Sequence, residues 1–187
     1  MDFTDLCGQE HVKRALEVAL AGSHSIRFTG SYTSQAGNFA KLARELGLTA
    51  RATGPCPCGF YGHSIQQCTC SIQAVGKHQA REHAKHFDIE IEVGPDDDAR
   101  ILAWLQGKRG ETNEAILARV QGASDFDDLT LGETSLSLLR AAIRQLSMDF
   151  PTVARILAVA RTIANLAHSE KIETVHLAEA IQYRPRR

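Results

Sequence analysis

The sequence predicts a predominantly helical α/β protein, in which a half containing few strands precedes a bundle of helices. Two segments before residue 94 alternate apolar and polar residues, as half-buried strands do. Four or five segments after residue 94 repeat apolar residues at helical spacing. The hydrophobic content of 43% and the charged content of 23% are ordinary for a folded chain of 187 residues.

The first half contains two predicted helices and two predicted strands. The first helix has its apolar stripe between Val12 and Leu20 and ends near Gly22, and the second covers about residues 38–46. The strands are residues 25–29, which run into Gly30, and residues 87–93, which alternate strictly. Two strands do not make a stable sheet alone. We therefore expect this half to depend on the helices, on a metal ion or on a partner.

Gly94-Pro95 marks the predicted boundary between two units, residues 1–93 and 94–187. Asp96, Asp97 and Asp98 fit the first turn of a helix, where the positive end of the helix dipole favours acids, so a metal site is not needed to explain them. Thr112 or Asn113 is expected to cap the next helix, and Asp149 a later one that has Pro151 in its first turn. Five apolar stripes follow the boundary, at residues 101–105, 116–120, 136–146, 153–167 and 174–183.

The densest chemical signal is a cluster of four of the chain's five cysteines. Cys56 and Cys58 form one Cys-x-Cys arm, and Cys68 and Cys70 form a second arm after a loop. Four thiolates suit tetrahedral Zn²⁺, which prefers sulfur, so we predict a structural zinc site with these four ligands. His63 could replace one thiolate. The alternatives are reduced cysteines in a cytosolic loop, or a disulfide pair if the chain were exported.

The net charge and the hydropathy of the sequence bear on where the protein is located and on what it binds. The net charge of −1 gives no general attraction to nucleic acid or to acidic membranes, and the basic run at residues 184–187 is typical of a solvated terminus. No apolar stretch reaches membrane-spanning length, and acids stand where a signal peptide would have lysines, which predicts a cytoplasmic protein. His78, His83 and His86 lack an acid at metalloprotease spacing, so we predict a solvated helix face there.

Several segments, in the same order along the chain, resemble magnesium-chelatase-like AAA+ proteins of the ComM type. The middle of the resemblance is Cys56-Pro57-Cys58-Gly59 with Cys68-Thr69-Cys70-Ser71. The remaining segments are residues 3–10, 13–19, 21–24, 61–62, 159–164, 169–170, 176–180 and 182–184. The resemblance implies a truncated AAA+ core up to about residue 93 and a helical lid after it. Proteins of this family are ring-forming ATPases, and they are implicated in DNA branch migration or in driving metal insertion.

The nucleotide-binding motifs of the family are degenerate in this sequence. The family's phosphate loop, Gly-x-x-x-x-Gly-Lys-Ser/Thr, corresponds to residues 30–37. Ala36 stands where the lysine should be, Gly37 stands where the magnesium-binding hydroxyl should be, and Lys41 is too far along to substitute. No hydrophobic run that ends in paired acids lies between this loop and the cysteines. ATP binding is therefore not expected.

Two arginines of the family pattern are also replaced. Lys85 and His86 align with the family's Asp-Arg pair, and Pro151 aligns with a nucleotide-sensing arginine, although Arg155 is close by. Loss of such arginine contacts costs several orders of magnitude in phosphoryl transfer. We therefore assign no catalytic residue and no cofactor-binding residue, and expect a catalytically inactive chain.

Three functions from different classes follow. The first is a non-catalytic interaction or regulatory protein that associates with an intact AAA+ relative or with itself, and the stripe at residues 153–167 favours it. The second is a zinc-dependent nucleic-acid-binding module that uses the cysteines and residues 77–86. The third is an active ATPase with an unusual loop, which the missing lysine disfavours. A decaying remnant of a longer ancestor is the alternative to all three.

Overall fold

The computed structural model describes residues 3–5, 9–95 and 98–185 of the chain. The predictions that involve Leu6, Cys7, Gly8, Asp96 and Asp97, and the basic residues Arg186 and Arg187, lie outside these ranges. The described elements are a 3-10 turn at Phe3–Asp5, α1 (Glu10–Gly22), β1 (Ile26–Thr29), α2 (Thr33–Glu45), β2 (Ala50–Thr53), α3 (Ile72–His83), β3 (Ile89–Glu92), α4 (Asp98–Leu105), α5 (Asn113–Gln121), α6 (Glu133–Leu146), α7 (Phe150–Leu166) and α8 (Thr174–Gln182). The predicted class, α/β with a predominance of helix, is confirmed.

The strands form a three-stranded parallel sheet in the order β2-β1-β3. The central strand β1 is paired in register on both sides, so that Arg27 lies beside Arg51 of β2 and beside Glu90 of β3. The prediction of two strands was wrong, because β2 was not recognised. Its sequence Ala-Arg-Ala-Thr has none of the large β-branched or aromatic residues that usually mark a strand.

One face of the sheet is apolar and belongs to the hydrophobic core. Ile26 and Phe28 of β1 and Ile89 of β3 are fully buried. The Phe28 ring stacks on the ring of Phe39 of α2, with 5.8 Å between centroids. The core continues without a break into α1, α7 and α8, so residues from before and after the predicted boundary at residue 94 share one cluster. The division into two units stays a prediction.

The other face of the sheet is polar, and the last turn of α3 contacts it through Glu82. Arg27 is only 2% exposed, and its guanidinium donates to Glu90 Oε2 (Nε at 2.8 Å) and to the Glu82 carbonyl of α3. The Glu82 carboxylate accepts from Arg51 of β2 (3.1 Å) and from Lys85 (2.9 Å). Buried charges are tolerated where they are paired and hydrogen-bonded in this way.

Several helix boundaries and surfaces differ from the predictions. Helix α2 begins at Thr33 rather than at residue 38, and α3 begins at Ile72, where Ser71 Oγ accepts from the Ala74 amide. The predicted caps Thr112 and Asp149 are confirmed by hydrogen bonds from Ala115 and Thr152.

The stripe at residues 153–167 does not form an interaction surface. Ile156, Val159, Ala160, Ile163 and Ala164 are at most 3% exposed inside the core, so the stripe is consumed by internal packing. Conversely, the predicted apolar face of α4 is exposed, with Leu102 at 59% and Leu105 at 67%. Among the described residues, every helix is too short or too polar to cross a membrane.

Candidate metal centre

The cysteine cluster lies between the carboxyl end of β2 and the start of α3. Gly54 and Pro55 continue β2 into the first arm, and the second arm ends at Cys70, next to the Ser71 cap of α3. Gly59 and Gly62 have φ angles of +86° and +79°, which L-residues with side chains rarely adopt, so glycine permits the tight turn between the arms. We call residues 54–71 the cysteine knuckle.

The four sulfur atoms converge on one point. The Sγ atom of Cys56 lies 3.4 Å from that of Cys58 and 3.7 Å from that of Cys68, and Cys58 and Cys68 are 3.6 Å apart. The Sγ atom of Cys70 completes a group whose members all lie within 4.8 Å of one another. A tetrahedral Zn²⁺ with Zn–S bonds of about 2.3 Å requires S···S separations of about 3.8 Å. The four cysteines could therefore hold a metal ion such as zinc.

Backbone amides are arranged to favour thiolates in this group. The Tyr61 amide donates to Cys56 Sγ (3.3 Å), and the Cys70 amide donates to Cys68 Sγ (3.4 Å). Hydrogen bonding from the Phe60 and Thr69 amides lowers the pKa of Cys58 to about 6. At Cys68 the Cys70 amide acts in the same direction, but desolvation and the neighbouring sulfurs outweigh it and raise the pKa to about 12. Four sulfurs in contact thus lose their protons together only when a cation compensates their charge.

His63 is not a member of the group of sulfurs. Its Nδ1 accepts from the amides of Ile65 and Gln66, both at 3.1 Å, and its ring packs against Tyr32 with 4.8 Å between centroids. The hypothesis that His63 replaces a thiolate therefore finds no support in the geometry. Cys56 is 2% exposed and the other three cysteines are partly exposed, so the site opens toward solvent on one side.

The knuckle packs against the first turn of α2, which the sequence did not indicate. A Cβ atom built on Gly59 would lie 3.2 Å from the Thr33 methyl group, and one on Gly54 would lie 3.1 Å from it. The Tyr32 hydroxyl is 3.1 Å from Ser64 Oγ. This first turn of α2 is where the degenerate phosphate loop, residues 30–37, meets its helix.

Helix α3 fixes the other side of the knuckle. His78 Nε2 is 3.0 Å from the Gly54 carbonyl, and Gln79 Nε2 donates to the Pro55 carbonyl (3.2 Å). The expectation that the histidine-rich segment forms a solvated helix face holds only for part of it, because His78 reaches the knuckle and Glu82 is buried against the sheet. The residues that sequence reasoning missed here, Thr33 and Gln79, carry no local signal, since only the tertiary fold brings them to the cysteines.

The structure also locates the residues of the degenerate phosphate loop. Gly30 has φ +125°, and a Cβ atom on it would lie 2.5 Å from the Val93 carbonyl, so the close approach of β3 requires glycine. Ala36 is fully buried in the core. Lys41 points away on the exposed side of α2, where it lies 3.9 Å from Glu45. No cationic side chain of residues 30–37 is available to contact a phosphate, because the segment contains none.

Two family models match the chain. Residues 2–49 match the model described as magnesium chelatase, subunit ChlI, and residues 100–184 match the model described as magnesium chelatase, subunit ChlI C-terminal. The knuckle lies between the two matched segments. A search of the curated proteins found no match. The two matches follow each other in the order that the sequence motifs predict, and we conclude that this chain belongs to the magnesium-chelatase-like family.

Proposed function

We propose that this chain is a non-catalytic interaction or regulatory protein of the ComM-type branch of the magnesium-chelatase-like family, and that its knuckle binds Zn²⁺ as a structural ion. The observation that carries the proposal is the contact between the knuckle and the first turn of α2. In nucleotide-binding proteins of this type the first turn of the helix presents free amides to phosphate. Here the side chain of Thr33 in that turn packs on Gly54 and Gly59 of the knuckle.

The chemistry of the segment supports the same conclusion. A phosphate site needs a cation for the outer phosphates and a hydroxyl for Mg²⁺. Ala36 and Gly37 occupy those positions, and Ala36 is buried, so a longer side chain there would have to displace core residues. The residues of the knuckle thus connect β2, α2 and α3, and a bound zinc would hold these elements together.

Two measurements on the purified protein test this proposal. Elemental analysis should give about one zinc per chain, as expected for one four-cysteine site. Addition of Mg·ATP to the zinc-loaded protein should yield neither binding heat at micromolar concentration nor release of inorganic phosphate. Metal-free protein that keeps its native structure would refute the structural role of zinc, and ATP turnover would refute the non-catalytic assignment.

A zinc-dependent nucleic-acid-binding module is the second candidate, and the distribution of charge favours it. Residues 50–87 contain four basic residues, Arg51, Lys77, Arg81 and Lys85, and one acid, Glu82, which is buried. Salt-sensitive retention of a DNA oligonucleotide that is lost in the variant K77E/R81E would support it. Equal elution of the protein from DNA-bearing and blank resin at low salt would exclude it.

A further inference from the structure

The sheet has two outer edges, and they are closed to very different extents. On β3 the Glu90 amide donates to the Tyr183 carbonyl (2.7 Å), and His11 Nε2 is 3.1 Å from the Glu92 carbonyl. Both contacts lie on the side of β3 away from β1. The C-terminal end of α8 and the start of α1 thus cover that edge.

The edge of β2 is open. The Ile26 amide donates to the Thr49 carbonyl (3.0 Å), and in a parallel ladder this fixes Thr49, Arg51 and Thr53 as the residues that bond to β1. Ala50 and Ala52 therefore direct their amides and carbonyls outward. Within the described ranges, the hydrogen bond from Arg44 Nη1 to the Ala50 carbonyl (3.1 Å) is the one contact that we find on these four groups. Edges of this kind are templates for pairing with another strand.

The side chains in register across the sheet predict what a fourth strand would carry. One row runs Glu90, Arg27, Arg51, so an acid already faces the arginine of the central strand. In the part of the chain that the structure describes, no strand lies on the outer side of Arg51. The flanking rows are apolar, Ile89-Ile26-Ala50 and Ile91-Phe28-Ala52. Ala50 and Ala52 are only partly buried, so larger apolar residues beside them would remove more apolar surface from water.

The charge around Arg51 strengthens the expectation of an acid. Arg51, Arg81 and Lys85 all lie within 3.6 Å of the single carboxylate of Glu82. Three cations thus share one anion, and Arg51 is 45% exposed on its side chain. A further carboxylate placed beside Arg51 would compensate part of this excess.

We propose that the β2 edge is a docking site for an extended strand of a partner protein in which an acidic residue is flanked by apolar residues. This inference rests on the proposed function, because it supplies the surface through which a non-catalytic protein acts. The partner strand would add to the sheet through backbone hydrogen bonds, and its acid would face Arg51. A second copy of β2 does not fit, since antiparallel pairing through Ala50 and Ala52 places one Arg51 opposite the other.

Amide hydrogen exchange of the whole chain tests the open edge, read residue by residue by NMR. The amides of Ala50 and Ala52 should exchange within about tenfold of the rate of an unstructured peptide, whereas those of Arg51 and Thr53 should be protected at least about a hundredfold. Strong protection of all four amides in the free protein would show that the edge is closed, and would overturn the proposal.

The second test adds a probe strand. The probe is an acetylated and amidated peptide with the sequence of residues 87–93, Phe-Asp-Ile-Glu-Ile-Glu-Val, because this acid-apolar pattern already pairs with β1. It should slow the exchange of the Ala50 and Ala52 amides at least about tenfold at saturation. The matched control peptide has lysine in place of both glutamates and should bind at least about tenfold more weakly. The same result for both peptides, or protection by neither, would contradict the proposed partner chemistry.

One protein variant, one competing ligand and an ATPase assay separate the possible causes. R51Q should lose the preference for the acidic peptide while the two outward amides stay exposed in the free protein. A DNA oligonucleotide that protects Ala50 and Ala52 would assign the surface to nucleic acid and overturn the strand. ATP hydrolysis by a protein whose β2 edge is open would refute the proposed function but not this inference. A closed β2 edge in a protein that does not bind ATP would refute this inference but not the proposed function.

Discussion

The methyl group of Thr33 lies 3.2 Å from the position that a Cβ atom on Gly59 would occupy. This contact joins the knuckle to the first turn of α2. It links the two sequence features that carry the functional argument, the cysteines and the degenerate phosphate loop.

Substitution of Gly59 by alanine tests that contact. Gly59 has a φ of +86° and the Thr33 methyl close to its Cβ position, whereas Gly62 has a φ of +79° and open space around its Cβ position. A non-glycine residue at positive φ costs about 1–3 kcal/mol, so G62A should destabilise by that backbone term alone. G59A should cost about 1 kcal/mol more because it also crowds Thr33. Urea unfolding of the zinc-loaded variants measures both, and equal losses would mean that the knuckle does not pack tightly on α2.

Removal of the metal should loosen the knuckle. Without a cation no metal–sulfur bonds tie the two arms together, so a chelator should lower the unfolding temperature. C68S should lose zinc, while C7S, which changes the cysteine outside the cluster, should retain about one zinc per chain. Elemental analysis and thermal unfolding of the three proteins provide the comparison. Zinc loss in C7S equal to that in C68S would place the metal elsewhere.

Glu82 should make the free energy of unfolding depend on pH in the acid range. Burial opposes its ionisation, but the hydrogen bond from Lys85 and the charges of Arg51 and Lys85 outweigh this and lower its pKa to about 2. The unfolded chain, with a pKa near 4.5 at this residue, binds the proton first as the pH falls. The stabilisation is therefore complete above about pH 4.5 and disappears as the pH falls to about 2. In E82Q this part of the pH dependence should vanish, and an unchanged profile would contradict the pairing.

His176 should make the free energy of unfolding depend on pH in a second, higher range. Burial lowers its pKa below the usual 6.5, and its Nδ1 accepts from the Glu173 amide (3.1 Å) at the start of α8. Protonation would abolish that acceptor, so the stabilisation is present above about pH 6.5 and is lost as the pH falls through the lowered pKa. H176Q keeps an acceptor at the same position of the capping box without titrating. A plot of the free energy of unfolding against pH, measured between pH 5 and pH 8, should be flatter for H176Q than for the natural chain. Parallel plots would be evidence against this role of His176.

The helices and the four cysteines could be predicted because their signals are local. A helical stripe such as that of α7, or the Cys-x-Cys arms, can be recognised within a short window of sequence. Strands β1 and β3 alternate clearly for the same reason. Strand β2 has no such signal, since Ala50 and Ala52 are small and Arg51 is charged. It becomes a strand because β1 offers it a partner.

The contacts that define the site depend on residues distant in sequence. Thr33 meets Gly59, Arg27 meets Glu90, and Arg51 meets Glu82, and each pair is brought together only when the sheet forms. The apolar stripe of α7 illustrates the opposite error. Its periodicity indicated a helix correctly, but periodicity does not distinguish a face that packs on α1 and α8 from a face that awaits a partner.

The proposal that this chain does not use ATP rests on the knuckle, which packs on the start of α2. Titration of the zinc-loaded protein with Mg·ATP in an isothermal calorimeter tests it most directly. We expect no saturable heat up to millimolar nucleotide. Saturable binding with a dissociation constant in the micromolar range would show that the first turn of α2 accepts phosphate, and would refute the proposed non-catalytic role.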